Sequence, residues 1–199
     1  MYTPIQKIIS VILVLLLSPL FILISVIILL FDGFPILFSQ NRLGMHGVEF
    51  KCLKFRSMKK NAEELLKNDK RLMQIYLNNG YKIPEEYETR YIKIGLFLRK
   101  TSLDELPQLL NVIMGQMNLV GPRPIVPKEV EFYKDKKRDL FLSIKPGITG
   151  SWQVSGRSEI DYPERVDFEL EYIKNRSFIL DIKILFKTLI VVFRRKGAH

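Results

Sequence analysis

The chain has 199 residues, enough for one domain with a hydrophobic core and a small appendage. Lys and Arg number 31 against 21 Asp and Glu, a formal net charge of +10 that indicates an anionic partner such as nucleic acid, a phosphate ligand or a lipid surface. The single cysteine, Cys52, excludes an internal disulfide, and the two histidines, His46 and His199, argue against a histidine-rich zinc site.

The first element is an uncharged apolar stretch from residue 8 to residue 31. It exceeds the ~20 residues that a helix needs to cross a bilayer, and it lacks the short run and cleavage site of a signal peptide. Ser18-Pro19 lies near its middle, where proline removes a backbone donor and crowds the Leu15 carbonyl. Two structures stay open: a kinked spanning helix, or a hairpin that enters one leaflet and returns, with Lys7 and Asp32 on one side. Either structure makes residues 1–33 a membrane anchor.

Residues 34–199 are predicted to form one compact α+β domain, mainly α with a small β-hairpin. Residues 35–58 contain short apolar runs around a turn bracketed by Gly44 and Gly47, which predicts the hairpin. Residues 59–90 are strongly polar with helical spacing, which predicts a solvated helix and loop without a chemical role.

The C-terminal half is predicted to be mostly helical. Residues 91–115 form two helical pieces with a break near Thr101-Ser102, and residues 127–143 and 164–174 form further helices. The Gly-rich residues 145–157 predict a shaped loop with a short strand. Residues 178–196 are apolar with spaced charges, which suits either an amphipathic helix at a membrane surface or a packed core helix with a basic tail.

The stretch SLDELPQLLNV, residues 102–112, places the carboxylates of Asp104 and Glu105 side by side. Ser102 and Glu105 have the spacing of a capping box, and Pro107 is tolerated only in a first helical turn. A helix is therefore predicted to start here, and acids at helix starts are common because they are favourable. The pair is either a helix cap or a pair of catalytic groups.

Three arginines on separate segments favour chemistry. Arg99 precedes the acidic pair, Arg123 sits in the rigid turn Gly-Pro-Arg-Pro of residues 121–124, and Arg157 closes the Gly-rich segment. Guanidinium groups grip phosphate oxygens as bidentate forks, and glycine-rich turns let backbone N–H groups approach an anion. These residues together predict a phosphate-binding site.

Simpler interpretations stay open for two features: the Gly-Pro-Arg-Pro turn as a loop staple, and Trp152 as a core residue rather than a platform for a ring. A carboxylate normally repels a phosphate. It becomes useful when a divalent cation lies between them, or when the carboxylate is itself a nucleophile that forms an acyl-phosphate.

Four ordered motifs, FRSM at 55–58, SLDELPQLLNV, MNLVGPRP and KPGITGSWQVSGR, make the chain resemble a known family. It is similar to the bacterial sugar transferases called monotopic phosphoglycosyl transferases, or undecaprenyl-phosphate sugar phosphotransferases, over nearly its whole length. The resemblance implies a re-entrant anchor bent at Ser18-Pro19, with both ends and the catalytic domain on the cytoplasmic face of the bacterial inner membrane.

The resemblance also implies the reaction and the residue roles. Asp104 attacks the sugar-bearing phosphate of a UDP-sugar, UMP leaves, and undecaprenyl phosphate then takes the sugar phosphate from Asp104. Asp104 and Glu105 hold Mg²⁺ or Mn²⁺, while Arg99, Arg123 and Arg157 bind phosphates. The WQVSGR form resembles members that use galactose or glucose, and the product starts a surface glycan such as a capsule, O-antigen or exopolysaccharide.

Two other hypotheses stay open. The chain could be a non-catalytic, membrane-anchored scaffold whose basic face binds anionic lipid, or an enzyme that transfers directly without a covalent intermediate. Nucleic-acid binding is disfavoured by the anchor and by the lack of recognition motifs.

Overall fold

The computed structural model describes residues 3–79, 83–156 and 160–194. These residues form ten α-helices and four short strands, joined by several 3₁₀ turns. The helices are α1 (Thr3–Leu16), α2 (Ser18–Asp32), α3 (Ala62–Asn68), α4 (Lys70–Asn78), α5 (Gly95–Lys100), α6 (Gln108–Ile113), α7 (Asp135–Leu142), α8 (Ser151–Ser155), α9 (Glu164–Asn175) and α10 (Phe178–Arg194). The strands are β1 (Leu37–Leu43), β2 (Glu49–Phe55), β3 (Asn118–Val120) and β4 (Gly147–Thr149). The mainly helical α+β class predicted from the sequence is confirmed.

Strands β1 and β2 form the predicted antiparallel hairpin, in register from Leu37 opposite Phe55 to Leu43 opposite Glu49. The turn contains the two predicted glycines and is closed by the Gly44 N–H, which donates to the Val48 carbonyl at 2.8 Å. On β2 the side chains of Phe50 and Cys52 are buried, as period-two alternation requires for a strand with one face on the core.

A second, parallel pair of strands was not predicted. Asn118 of β3 pairs with Gly147 of β4, and Val120 pairs with Thr149. Strands of three residues leave no periodic signal in a sequence, and this pair depends on close backbone approach. A Cβ atom placed on Gly121 would lie 2.7 Å from the Gly147 nitrogen, so only glycine fits there.

The core consists of two hydrophobic clusters. The larger one joins β2, β3, α6, α7, α9 and α10, with Val112, Met117 and Ile125 almost completely buried in it. The smaller one lies under α2, where Ile28 packs with Phe55 and Leu98. Since α2 contributes to this cluster, the apolar N-terminal segment is part of the fold.

The N-terminal apolar segment breaks at the predicted place. Helix α1 ends at Leu16, α2 begins at Ser18 with Pro19 in its first turn, and the Ser18 hydroxyl donates to the Leu15 carbonyl at 2.7 Å. Among the described residues no single helix is long and apolar enough to cross a bilayer, whereas α1 and α2 together reach that length as a pair bent by 60°.

Both ends of this helix pair are tied to the rest of the domain. Near the start of α1, the Gln6 side-chain oxygen accepts the Leu119 backbone N–H at 2.7 Å. At the end of α2, Asp32 forms an ion pair with Arg56. The helix pair therefore starts and finishes against the same body of protein.

Helix α10 combines the two interpretations offered for residues 178–196. Ile184 is buried in the larger cluster, whereas the side chains of Phe186, Leu189 and Ile190 are at least half exposed. One face of α10 thus packs in the core, and the other face exposes apolar side chains. Residues 195 and 196 of the predicted helix lie outside the described residues.

Three further predictions are confirmed and two are corrected. The two-piece helix of 91–115 and the helix from Glu164 are present, and the helix predicted within 59–90 is present as two helices, α3 and α4. Residues 127–143 instead form a 3₁₀ segment, Pro127–Phe132, separated from α7 by the extended, buried residue Tyr133. The Gly-rich segment contains the expected strand but also helix α8, which follows the extended residue Gly150.

Candidate active site

Asp104 and Glu105 lie in a 3₁₀ turn, Leu103–Glu105, between α5 and α6. The capping-box prediction is wrong: Ser102 has a left-handed backbone with φ 57°, and its side chain makes no capping hydrogen bond. The reason is that α6 begins only after Pro107, so Glu105 is not at the third helical position. The side chain of Glu105 is instead turned toward Lys54.

Among the ion pairs of the described residues, Lys54 is the cation nearest to the acidic pair. Its Nζ lies 2.7 Å from Glu105 Oε1 and 3.9 Å from Asp104 Oδ2. Lys54 was not predicted as a site residue, although the sequence contains a signal for it. Lys54 shares the face of β2 that carries Phe50 and Cys52, and a lysine on a buried face is unusual enough to mark a site.

Arg123 approaches the pair from the Gly-Pro-Arg-Pro turn that follows β3. Its Nη1 lies 3.6 Å from Glu105 Oε1. The turn is fixed on both sides, because Gly121 donates its N–H to Thr149 and Pro122 accepts the N–H of Gly147. The turn therefore both fixes the loop against β4 and points the Arg123 side chain toward the carboxylates.

The other two predicted arginines have different outcomes. Arg99, at the end of α5, lines the same cavity as Asp104, and its Nη1 lies 3.3 Å from the Tyr91 hydroxyl. Arg157 lies outside the described residues, so its role stays a prediction.

These side chains surround a cavity of about 430 Å³. Its charged lining comes from Lys54, Arg99, Asp104, Glu105 and Arg123. Much of its apolar lining comes from two helices with exposed apolar faces, Leu13 and Leu17 at or beside the end of α1 and Leu185, Leu189 and Val192 on α10. The cavity thus brings anion-binding groups and an apolar wall together.

Asp104 is almost fully buried, and burial raises the pKa of its carboxyl group. The positive charge of Lys54 opposes this rise, and the adjacent Glu105 adds to it, while Arg99 and Arg123 also favour the ionised form. The ionised form of Asp104 therefore depends on the nearby cations.

The donor set fits a divalent cation that is bound together with a phosphate. In residues 3–79, 83–156 and 160–194, no group of three or more His, Cys, Asp or Glu side chains converges on a metal position. Magnesium commonly takes one or two protein carboxylates and completes its octahedron with substrate phosphates and water. Asp104 and Glu105 supply two such carboxylates at the wall of a cavity of about 430 Å³ that Lys54, Arg99 and Arg123 also line.

A second network behind Arg123 was also missed. On α9, Glu169 is completely buried and accepts the Arg123 backbone N–H at 3.1 Å. The Arg165 guanidinium lies over the Trp152 ring at 4.4 Å, and the Arg123 guanidinium lies 5.4 Å from the same ring. The available signal was an Arg–Glu pair at i, i+4 among the apolar positions of α9.

Comparison with known proteins places the chain among the transferases. The model of the family described as bacterial sugar transferase matches residues 3–195. The chain belongs to the bacterial sugar transferase family.

Three relatives show the range of similarity. The undecaprenyl-phosphate galactose phosphotransferase of Salmonella typhimurium is 49% identical over 172 residues, 84% of this chain and 35% of the relative. Exopolysaccharide production protein ExoY of Sinorhizobium fredii is 41% identical over 191 residues, 92% of this chain and 81% of the relative. The UDP-glucose:undecaprenyl-phosphate glucose-1-phosphate transferase of Escherichia coli is 40% identical over 199 residues, 96% of this chain and 40% of the relative. The chain therefore spans well under half the length of the first and third relatives.

Proposed function

We propose that the chain transfers a sugar 1-phosphate from a UDP-sugar to undecaprenyl phosphate and releases UMP, as the first membrane step of bacterial surface glycan assembly. Membership of the sugar transferase family and the names of the relatives support the reaction class. The donor is a hexose derivative such as UDP-galactose or UDP-glucose. The observation that carries the proposal is the placement of Asp104, buried beside Glu105 in a cavity that Lys54 and Arg123 also line.

In the first half-reaction, an Asp104 carboxylate oxygen attacks the phosphorus that bears the sugar. A bond forms between that oxygen and phosphorus, and the phosphoanhydride bond to UMP breaks, so UMP leaves with the bonding electron pair. Lys54, 3.9 Å from the Asp104 carboxylate, favours its ionised form, and Arg99 and Arg123 hold the diphosphate oxygens. The product is a sugar phosphate esterified to Asp104.

In the second half-reaction, an oxygen of undecaprenyl phosphate attacks the same phosphorus. The bond from phosphorus to Asp104 breaks, and the carboxylate is restored. One phosphoanhydride replaces another, so the protein mainly has to position groups and neutralise charge. Asp104 and Glu105 would hold Mg²⁺ or Mn²⁺, which would supply further neutralisation of the diphosphate charge.

The apolar wall of the cavity is assigned to the lipid acceptor. Leu13 on α1 and Leu185 and Leu189 on α10 line it, and both helices carry exposed apolar side chains beyond it. A prenyl chain that enters between α1 and α10 would bring its phosphate toward the charged residues, while its tail stays in the membrane.

The anchor is assigned as a re-entrant hairpin in the inner membrane, with the catalytic domain in the cytoplasm. The contact of Gln6 with Leu119 and the pair of Asp32 with Arg56 support this topology, since both ends of the α1–α2 pair contact one domain. A spanning helix would separate those ends by the thickness of the bilayer.

Incubation of membranes containing the chain with a panel of labelled UDP-sugars, Mg²⁺ and undecaprenyl phosphate tests this function. We expect UMP release with at least one donor, its loss in Asp104→Asn, and its retention in Asp139→Asn, which changes an exposed acid on α7. Binding of anionic lipid without UMP from any donor would instead support the non-catalytic scaffold.

A further inference from the structure

The buried carboxylate of Glu169 has no part in the proposed chemistry, yet it is held at a considerable cost. Its side chain is 0% exposed, and its Oε2 has no hydrogen-bond partner among the described residues. A buried carboxylate is retained where it is paired or where it holds something in place. Its Oε1 accepts a hydrogen bond from the Arg123 backbone N–H at 3.1 Å.

Arg165 links Glu169 to an aromatic ring. It lies one turn earlier on α9, with its Nε 3.9 Å from Glu169 Oε1. Its guanidinium lies between two rings, 4.4 Å from the centroid of Trp152 and 4.8 Å from that of Tyr162. Its Nη1 also approaches Glu129 Oε1 at 3.4 Å. Arg165 therefore connects the acids Glu169 and Glu129 to the Trp152 ring.

Arg123 is the residue on which both parts of this network act. Glu169 holds its main chain, and the Trp152 ring lies 5.4 Å from its guanidinium carbon. We propose that Glu169 is a positioning residue for Arg123, which it holds directly through the main chain and indirectly through Arg165 and the Trp152 ring. This inference rests on the proposed function, in which Arg123 binds the donor phosphates.

The charge of Glu169 makes the network sensitive to pH. Burial raises the pKa of Glu169 to about 7, although Arg165 and the Arg123 N–H favour the ionised form. Burial also raises the pKa of the neighbouring tyrosines, Tyr133, Tyr162 and Tyr172, so they remain neutral, while Glu129 faces Arg165 from the opposite side. Protonation of Glu169 below pH 7 therefore removes one of the two acids that hold Arg165.

A double-mutant cycle tests the positioning role. Glu169→Gln keeps the shape of the side chain and an acceptor for the Arg123 N–H, but removes the charge opposite Arg165. We expect kcat/KM for the UDP-sugar to fall by about 10- to 100-fold, as for a displaced positioning group, and by less than about threefold in an Arg123→Ala background. Glu171→Gln, on the exposed side of α9, is the matched control and should leave kcat/KM unchanged. Equal losses in both backgrounds would overturn the proposal.

Trp152 gives a second readout that needs no turnover, because it is the chain's single tryptophan. We expect its emission to change with a midpoint near pH 7 in the wild-type protein and in Glu171→Gln, and to lack this transition in Glu169→Gln. A flat wild-type emission from about pH 5.5 to 8.5, or a transition that persists in Glu169→Gln, would overturn the coupling. If no donor yields UMP, the proposed function fails while this titration still decides the role of Glu169. If Glu169→Gln does not fold, the wild-type titration remains the test.

Discussion

The Nζ of Lys54 lies 2.7 Å from Oε1 of Glu105, an ion pair between a hairpin strand and a 3₁₀ turn separated by 51 positions. This contact fixes one acid of the pair against a cation. It leaves the neighbouring carboxylate, that of Asp104, within 3.9 Å of the same ammonium group. Lys54 thus bears on both the orientation of Glu105 and the ionisation of Asp104.

We expect Lys54→Met to lower kcat/KM. We also expect the acid limb of the pH profile of kcat/KM to move to higher pH. Lys54 favours ionised Asp104, so its removal raises a pKa that burial has already raised. The reaction needs the carboxylate, and activity is therefore lost at a higher pH as the solution is acidified. A loss of about 100-fold at neutral pH corresponds to roughly 2.7 kcal/mol of transition-state stabilisation. pH–rate profiles of UMP release measure both effects.

Lys51→Met is the matched control, since Lys51 is an exposed lysine on the same strand. It should leave the profile in place. An acid limb that does not move in Lys54→Met would contradict the electrostatic role assigned to Lys54.

Gly121→Ala should both destabilise the fold and reduce activity. The added Cβ would meet the Gly147 nitrogen at 2.7 Å and the Lys145 carbonyl oxygen at 2.8 Å, so β3 and β4 must separate. Overpacking of this kind lowers the free energy of unfolding by about 1–3 kcal/mol. The separation of the strands also displaces Arg123, which lies two residues after Gly121. Chemical denaturation and donor KM should change together, and an unchanged unfolding midpoint would show that the backbones are not this close.

Leu189→Gln should raise the KM for undecaprenyl phosphate while sparing the first half-reaction. Leu189 lies on α10 at the apolar wall of the cavity, and its side chain is 58% exposed. A single-turnover measurement of UMP release without acceptor should be unchanged. Leu77→Gln, at an equally exposed leucine of α4, is the control. A change in UMP release without acceptor would place Leu189 in the donor site.

Cysteine labelling tests the topology of the anchor. Lys7→Cys, Phe34→Cys and the domain marker Leu77→Cys should react with a membrane-impermeant maleimide in inverted vesicles and be protected in right-side-out vesicles. The native Cys52 is buried and should contribute little background. Labelling of positions 7 and 34 from opposite sides would show a spanning segment.

The sequence predicts those elements whose signals are local. The break at Ser18-Pro19 follows from proline chemistry, and the β1–β2 hairpin follows from alternating apolar residues around two glycines. The parallel β3–β4 pair could not be predicted, because it depends on the approach of two glycine backbones, at Gly121 and Gly147, that are far apart in sequence.

The candidate site also combines residues with local sequence signals and residues that depend on contacts between distant parts of the chain. Asp104, Glu105 and Arg123 are visible as motifs, whereas Lys54, Arg165 and Glu169 acquire their roles only through tertiary contacts. The capping-box prediction failed for a related reason. Its spacing is correct, but α6 begins only after Pro107, so Glu105 is not at the third position of that helix and its side chain pairs with Lys54 instead.

Intact-protein mass spectrometry tests the central claim most directly. The purified chain is incubated with a productive UDP-sugar and Mg²⁺ without acceptor, then quenched and analysed, with Asp104→Asn in parallel. We predict one added sugar phosphate, mapped by peptide analysis to Asp104, removed by undecaprenyl phosphate and absent from Asp104→Asn. UMP release that requires both substrates together, with no added mass on the chain at any time, would contradict the covalent mechanism.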